Sequence, residues 1–236
     1  QQGFQLVDFS GTELFDAIKK MQGSPNYFLP ENRAQEIELR KKVAKFVKSL
    51  TSVLHLNFDL AVPLDAVYRT SEPESKNAFK PIQLAHVDFT GSPKTIFGFF
   101  SDMWSKSFAE TLSEQAPEYI THLNDMAIEM VHIWFPITNL EAGNTLALAD
   151  KRTVSEDARV PYTAVRRSGK KFVAVGIKNE PNQEWYYSSH MKLGQAYVFL
   201  SRETPHSSVQ MGLDKHPRKS IEVRLMLLKF APNQNL

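Results

Sequence analysis

Two periods divide the chain. Over residues 30–50 the apolar positions Ile37, Val43, Phe46, Val47 and Leu50 recur at helical spacing, with Arg40, Lys41, Lys42, Lys45 and Lys48 opposite them. This predicts an amphipathic helix whose basic face is solvated, since Glu31, Glu36 and Glu38 dilute its charge. A shorter helix is expected over residues 12–21, stopped by Gly23, Ser24 and Pro25. Residues 94–112 read as further helix with a dense aromatic set: Phe97, Phe99, Phe100, Trp104 and Phe108. Elsewhere the period is two. Strands are expected over residues 55–62, 127–137, 145–149, 172–177, 183–188, 195–200 and 221–230, separated by Gly, Pro and Asn turns. In the strand at 127–137, Ile128, Met130, His132 and Trp134 share one face. Many short strands in the C-terminal half, with helices before them, predict a mainly β sandwich or jelly roll with the helices packed outside. Residues 71–80 are polar, contain Pro73 and read as a surface loop.

The stretch 81–88 breaks the usual pattern. Read as a strand, it turns Ile82, Leu84, His86 and Asp88 to one face, so an apolar face ends in a His-x-Asp pair. Polar groups on a buried face need a partner or a metal. Composition narrows the choice. The chain has no cysteine, which removes disulfides, thiolate nucleophiles and Cys-based zinc sites and leaves His and carboxylate to hold any transition metal. A net charge of +2 over 236 residues provides no electrostatic footprint for nucleic acid. No apolar run is long enough to span a bilayer and no charged-then-apolar leader is present, which leads to the expectation of a soluble, cytoplasmic protein without a membrane partner. The length suits a single domain over residues 1–236, with 1–80 packing on a β core at 81–236.

His206 follows the strand at 195–200 and a turn-like stretch, 201–205. If it opens the next strand, it meets His86 and Asp88 across a barrel mouth. Two imidazoles and one carboxylate on one face of an ion leave the opposite positions open, the facial arrangement of non-haem iron oxygenases; zinc and manganese accept the same donors. Arg218 lies twelve residues further on and shares a strand face with Ser220. A guanidinium grips a carboxylate through parallel charge-assisted bonds and a hydroxyl adds another, so Arg218 and Ser220 form a candidate anchor for the far end of a dicarboxylic 2-oxo acid. Arg224, on the same face, is the fallback anchor, with a buried ion pair as its default role. His132 and Trp134 complete the candidate cosubstrate-binding set. His55, His122, His190 and His216 have no motif support.

The set His86-Val87-Asp88, His206 and Arg218-Lys219-Ser220 resembles the motif of Fe(II)/2-oxoglutarate-dependent oxygenases, whose fold is a double-stranded β-helix (jelly roll). More closely, residues 85–230 resemble a hydroxylase/desaturase family of fungal and bacterial secondary metabolism that includes a gibberellin desaturase and a cephamycin-pathway component. The stretches 131–137, 146–150, 184–187 and 218–224 carry that likeness. Members of that family carry Asn where His132 stands and Arg where Phe135 stands. The resemblance implies that His86, Asp88 and His206 ligate Fe(II), that 2-oxoglutarate and O2 are consumed, and that an unactivated C–H bond of a small organic molecule is oxidised. Hydroxylation, desaturation and ring rearrangement are its branches; the carboxylate at Asp88 argues against halogenation. A non-catalytic accessory subunit of an oxygenase complex is the alternative, and a homo- or heterodimer is compatible with either.

Overall fold

The structure is a computed structural model, and it describes residues 2–22, 32–72, 79–92, 95, 109–115, 117, 127–140, 144–165, 169, 171–210 and 217–230. The expected aromatic set at 97–108, the stop at 23–25, His122 and His216 lie outside these residues.

Eleven strands are defined: β1 (Phe4–Asp8), β2 (Leu60–Thr70), β3 (His86–Val87), β4 (Ala127–Pro136), β5 (Asn144–Ala149), β6 (Arg159–Val165), β7 (Lys171–Ile177), β8 (Trp185–Tyr187), β9 (Gln195–Leu200), β10 (His206–Gln210) and β11 (Lys219–Leu228). They form two antiparallel sheets, a five-stranded one in the order β1-β9-β4-β11-β2 and a six-stranded one in the order β6-β7-β3-β10-β5-β8. Helices α1 (Glu13–Met21), α2 (Arg33–Ser49) and α3 (Thr51–Leu54) precede most of the strands.

Alternation along β4 and β11 gives the five-stranded sheet two different faces. Val131, Ile133, Phe135, Ile221, Val223, Leu225 and Leu227 join Leu14, Ile18, Leu39, Val43, Phe46 and Val47 of α1 and α2 in one core. The opposite face, with His132, Trp134, Ser220, Glu222 and Arg224, looks toward the second sheet. Phe9 ties the helical layer to the sheet, its ring lying 5.8 Å from Phe46 and 5.7 Å from Phe135. The helices therefore pack outside a two-sheet β core, as the pattern predicted.

Four expectations need correction. The strand foreseen at 55–62 starts only at Leu60, because His55 takes a left-handed conformation (φ 51°) that ends α3. Pro63 is tolerated in β2 because β2 is an edge strand and Pro63 sits where its register against β11 shifts. Arg40 is not on the solvated face of α2: it is buried and donates from Nη1 to the Leu64 carbonyl at 2.9 Å. The stretch 81–88 pairs as a strand only at His86 and Val87. Before that, the carbonyls of Ile82, Gln83 and Ala85 accept bonds from Ser208 N, Ser207 Oγ and Ile177 N. The segment is thus tied down without a ladder, and Ile82 and Leu84 are exposed rather than buried. Strands β1 and β6 had not been foreseen.

Candidate metal centre and cosubstrate cleft

The second sheet places the first pair of site residues. β3 lies between β7 and β10, and His86 stands directly opposite His206 in the β3–β10 register. Neighbouring antiparallel residues project to the same face, so the two rings meet with centroids 4.4 Å apart. Each ring is oriented by its own backbone: His86 Nδ1 lies 2.7 Å from the Leu84 carbonyl and His206 Nδ1 3.1 Å from the Thr204 carbonyl. A carbonyl only accepts, so both Nδ1 atoms carry the hydrogen and both Nε2 lone pairs are left for another partner. Those Nε2 atoms face Asp88, at 3.3 Å from Oδ1 for His86 and 3.6 Å from Oδ2 for His206. His86, Asp88 and His206 thus offer one ligand atom each within a small volume.

Burial keeps His206 and the surrounding charges keep Asp88 in ligand form, while Asp88 pulls His86 toward the imidazolium. Burial, reinforced by the neighbouring His86, drops His206 to about 4, so it is neutral at physiological pH. Burial also works against charge on His86, but hydrogen bonding and charge from Asp88 outweigh it and its pKa rises. Asp88 resists burial through the hydrogen bond from His86 and the three nearby imidazoles, and stays ionised far below the ordinary carboxylate range. The loops around the site are pinned by Arg202, whose Nε and Nη2 reach the two Glu129 oxygens, both at 2.9 Å, while Nη1 donates to the Gly91 carbonyl. One guanidinium thereby joins the approach to His206, the exit from Asp88 and strand β4.

A narrow cleft of about 10 Å³ lies between His86, His206 and Arg218, with Trp134, Ile82, Arg69, Leu146, Ser208 and Glu222 along its walls. Arg218 is buried, and Ser71 Oγ accepts its backbone N–H at 2.8 Å. Its Nε donates to Ser220 Oγ at 3.2 Å; its Nη1 donates to Ser208 Oγ at 2.9 Å and to the Thr145 carbonyl at 3.1 Å. The guanidinium lies 5.0 Å from the Trp134 ring, a cation–π contact. Among the described residues no hydrogen bond uses Nη2. Burial lowers Arg218 to about 9, so it remains a cation at neutral pH.

The structure separates the expected residues into three groups. His86, Asp88 and His206 meet. Arg218, Ser220 and Trp134 gather at the cleft. His132 does neither: it is fully buried behind Asp88, with Nδ1 3.2 Å from Asp88 Oδ2 and 3.7 Å from Glu222 Oε1. Arg224 takes its default role, donating to Asp65 at 2.7 Å. His55 and His190 lie away from the cluster, and Asp150 caps a short 3-10 turn by accepting from Arg152 N. Sequence reasoning missed Ser208, Arg69 and the placement of Glu222. The first and last were within reach, since Ser208 follows His206 by two residues and Glu222 follows Ser220 by two.

A family model described as an oxidoreductase/YMDC permease-like domain matches residues 3–228. The chain belongs to that family. Comparison with curated proteins by sequence produces no match. Among solved structures, the chain is similar to an iron and alpha-ketoglutarate-dependent endoperoxidase, NvfI, at a TM-score of 0.72 and 20% identity, over 96% of this chain and 78% of that one. It is also similar to the non-heme alpha ketoglutarate dependent epimerase SnoN from nogalamycin biosynthesis, at a TM-score of 0.52 and 10% identity, over 95% and 78%. These likenesses establish the jelly-roll fold. The narrower likeness to a gibberellin desaturase rests on the sequence alone. No helix among the described residues is long and apolar enough to cross a membrane.

Proposed function

We propose that this oxidoreductase-family chain is an Fe(II)- and 2-oxoglutarate-dependent oxygenase acting on a C–H bond of a small organic molecule. One observation carries the reading: two imidazoles with free Nε2 atoms and a carboxylate converge at one end of a cleft whose other end is a buried guanidinium. The donor set of two nitrogens and one oxygen fits Fe(II) with positions left open. The likeness to NvfI and SnoN, both named as alpha-ketoglutarate-dependent, supports the same reading, as does membership of an oxidoreductase-like family.

His86, Asp88 and His206 would hold the ion, their Nδ1 hydrogens fixed by the Leu84 and Thr204 carbonyls so that neither ring turns away. The Arg218 Nη2 group and the Ser220 hydroxyl would take the distal carboxylate of the cosubstrate, while Trp134 walls it on one side. When bound, iron supplies the activation of O2 that is coupled to decarboxylation of the keto acid. The protein's share is to exclude water and to hold the target C–H bond near the open positions. Exposed Ile82 and Leu84, just before His86, offer apolar surface for such a substrate at the mouth. The chain is taken as one domain, because α1 and α2 share their core with the five-stranded sheet. Intact ligand and anchor residues weigh against an accessory subunit.

The test is succinate release from 2-oxoglutarate under air with Fe(II), against terpenoid, polyketide and amino-acid-derived candidates. Iron-dependent release that His206→Ala abolishes supports the proposal. No release above the protein-free rate, with or without any candidate, contradicts it.

A further inference from the structure

Asp88 belongs to two sets of ligand atoms. His86 Nε2 faces its Oδ1, and His206 Nε2 faces its Oδ2 at 3.6 Å. His132 Nδ1 lies 3.2 Å from that same Oδ2 and 3.7 Å from Glu222 Oε1, and the ligand atoms of Asp88, His132 and Glu222 all lie within 4.8 Å of one another. His132 is fully buried and Glu222 is 3% exposed. Among the described residues neither nitrogen of His132 finds a hydrogen-bond partner, and neither does Glu222 Oε1. The Asp88 oxygen is near enough for one but lacks the alignment. Buried polar atoms are nearly always paired, so three orphaned atoms in one spot point to a missing partner. A cation suits the geometry, since ligand atoms each about 2.0–2.2 Å from one ion stand about 3–3.6 Å from one another.

We propose that Asp88, His132 and Glu222 form a second seat for a divalent cation, and that the two seats, sharing Asp88, are filled one at a time. Exclusivity follows from the shared oxygen: His206 Nε2 and His132 Nδ1 reach the same Asp88 Oδ2, so two ions would crowd against one atom, and Arg224, opposite His132 in the β4–β11 register, adds positive charge of its own. One nitrogen and two oxygens make this seat harder than the first, which favours Mn(II). The inference rests on the proposed function only in taking His86, Asp88 and His206 as the other seat.

Equilibrium dialysis with Mn(II), read by electron paramagnetic resonance, tests it. The wild-type chain binds one Mn(II), His206→Ala still binds one, and His206→Ala with His132→Ala binds none. Adding Glu222→Gln to His206→Ala weakens binding at least tenfold. An unbound but folded His206→Ala chain overturns the proposal and leaves His132 as a residue that only orients Asp88; retention by the His206→Ala/His132→Ala chain overturns it as well. Wild-type crystals soaked in Mn(II) answer without any substitution. Anomalous density at both positions with a summed occupancy of one is expected, and density confined to the His86–His206 side overturns it. Failure of the succinate assay leaves these readouts untouched, so the two proposals fall separately.

Discussion

Arg218 commits three of its five N–H donors to Ser220, Ser208 and Thr145. That leaves a short, fixed fork at Nη2, held in place before any ligand arrives. Lysine has neither the fork nor the planar face that lies against Trp134. Arg218→Lys is therefore expected to weaken 2-oxoglutarate binding nearly as much as Arg218→Ala, by about tenfold to a hundredfold, the worth of a charge-assisted pair. Titration calorimetry on the two variants checks this; full affinity in the lysine variant would mean that charge alone is read. His206 provides a pH test. Its pKa is about 4 in the fold against an ordinary 6.5, so between those values the unfolded chain holds a proton that the native one lacks. Stability of the metal-free protein should fall as pH drops through that window, by on the order of 3 kcal/mol from this group. His132, also lowered by burial, acts in the same direction, while His86, whose pKa is raised, opposes it. Urea unfolding at pH 7 and pH 4.5 measures the slope, and His206→Asn should flatten it. At this scale the sequence was readable where spacing carries meaning: His86 and Asp88 stand together, and Arg218 meets Ser220. It put His132 in the cosubstrate set wrongly, because a histidine on an apolar strand looks the same whether it faces a cleft or a buried carboxylate.

Elements explain why those side chains hold still. Arg202 binds Glu129 with both ends of its fork and also holds the Gly91 carbonyl, so the turn before His206 and the loop after Asp88 move as one. Arg202→Met should cost about 2 kcal/mol, the order for hydrogen bonds to a charged group, and should lower metal affinity although it touches no ligand. A variant that is destabilised with metal affinity unchanged would show that the loops are set independently. Gly194 sits at φ 97°, where a Cβ would come within 2.4 Å of Ser10 Oγ and 3.1 Å of Phe15. Gly194→Ala should therefore destabilise by more than about 1 kcal/mol in denaturant unfolding, by prising β9 from the start of α1. The sequence showed β4, β7, β9 and β11 because each runs through β-branched or aromatic residues, and β5 through its unbroken apolar stretch Leu146-Ala147-Leu148-Ala149. It hid β1, whose Leu6 is exposed, and β6, which carries Pro161 and is the edge of its sheet. Edge strands lack a second neighbour and need no strong pattern.

For the molecule as a whole, the two sheets divide the labour. The five-stranded sheet buries one face under the helices and turns Trp134, Ser220 and Glu222 inward; the six-stranded one supplies both histidines from adjacent strands. The ligands thus come from one sheet while Arg218, at the entry to β11, borders the other, and the cleft is the gap between them. That division was not legible in the sequence, since which strands pair depends on contacts far apart along the chain. The central claim is that the cluster and Arg218 grip two ends of one keto diacid. Anaerobic calorimetry of 2-oxoglutarate with the Fe(II)-loaded chain tests it most directly. Tight binding that disappears without the metal and falls about tenfold or more in Arg218→Ala is the predicted result; binding indifferent to both the ion and the guanidinium would contradict it.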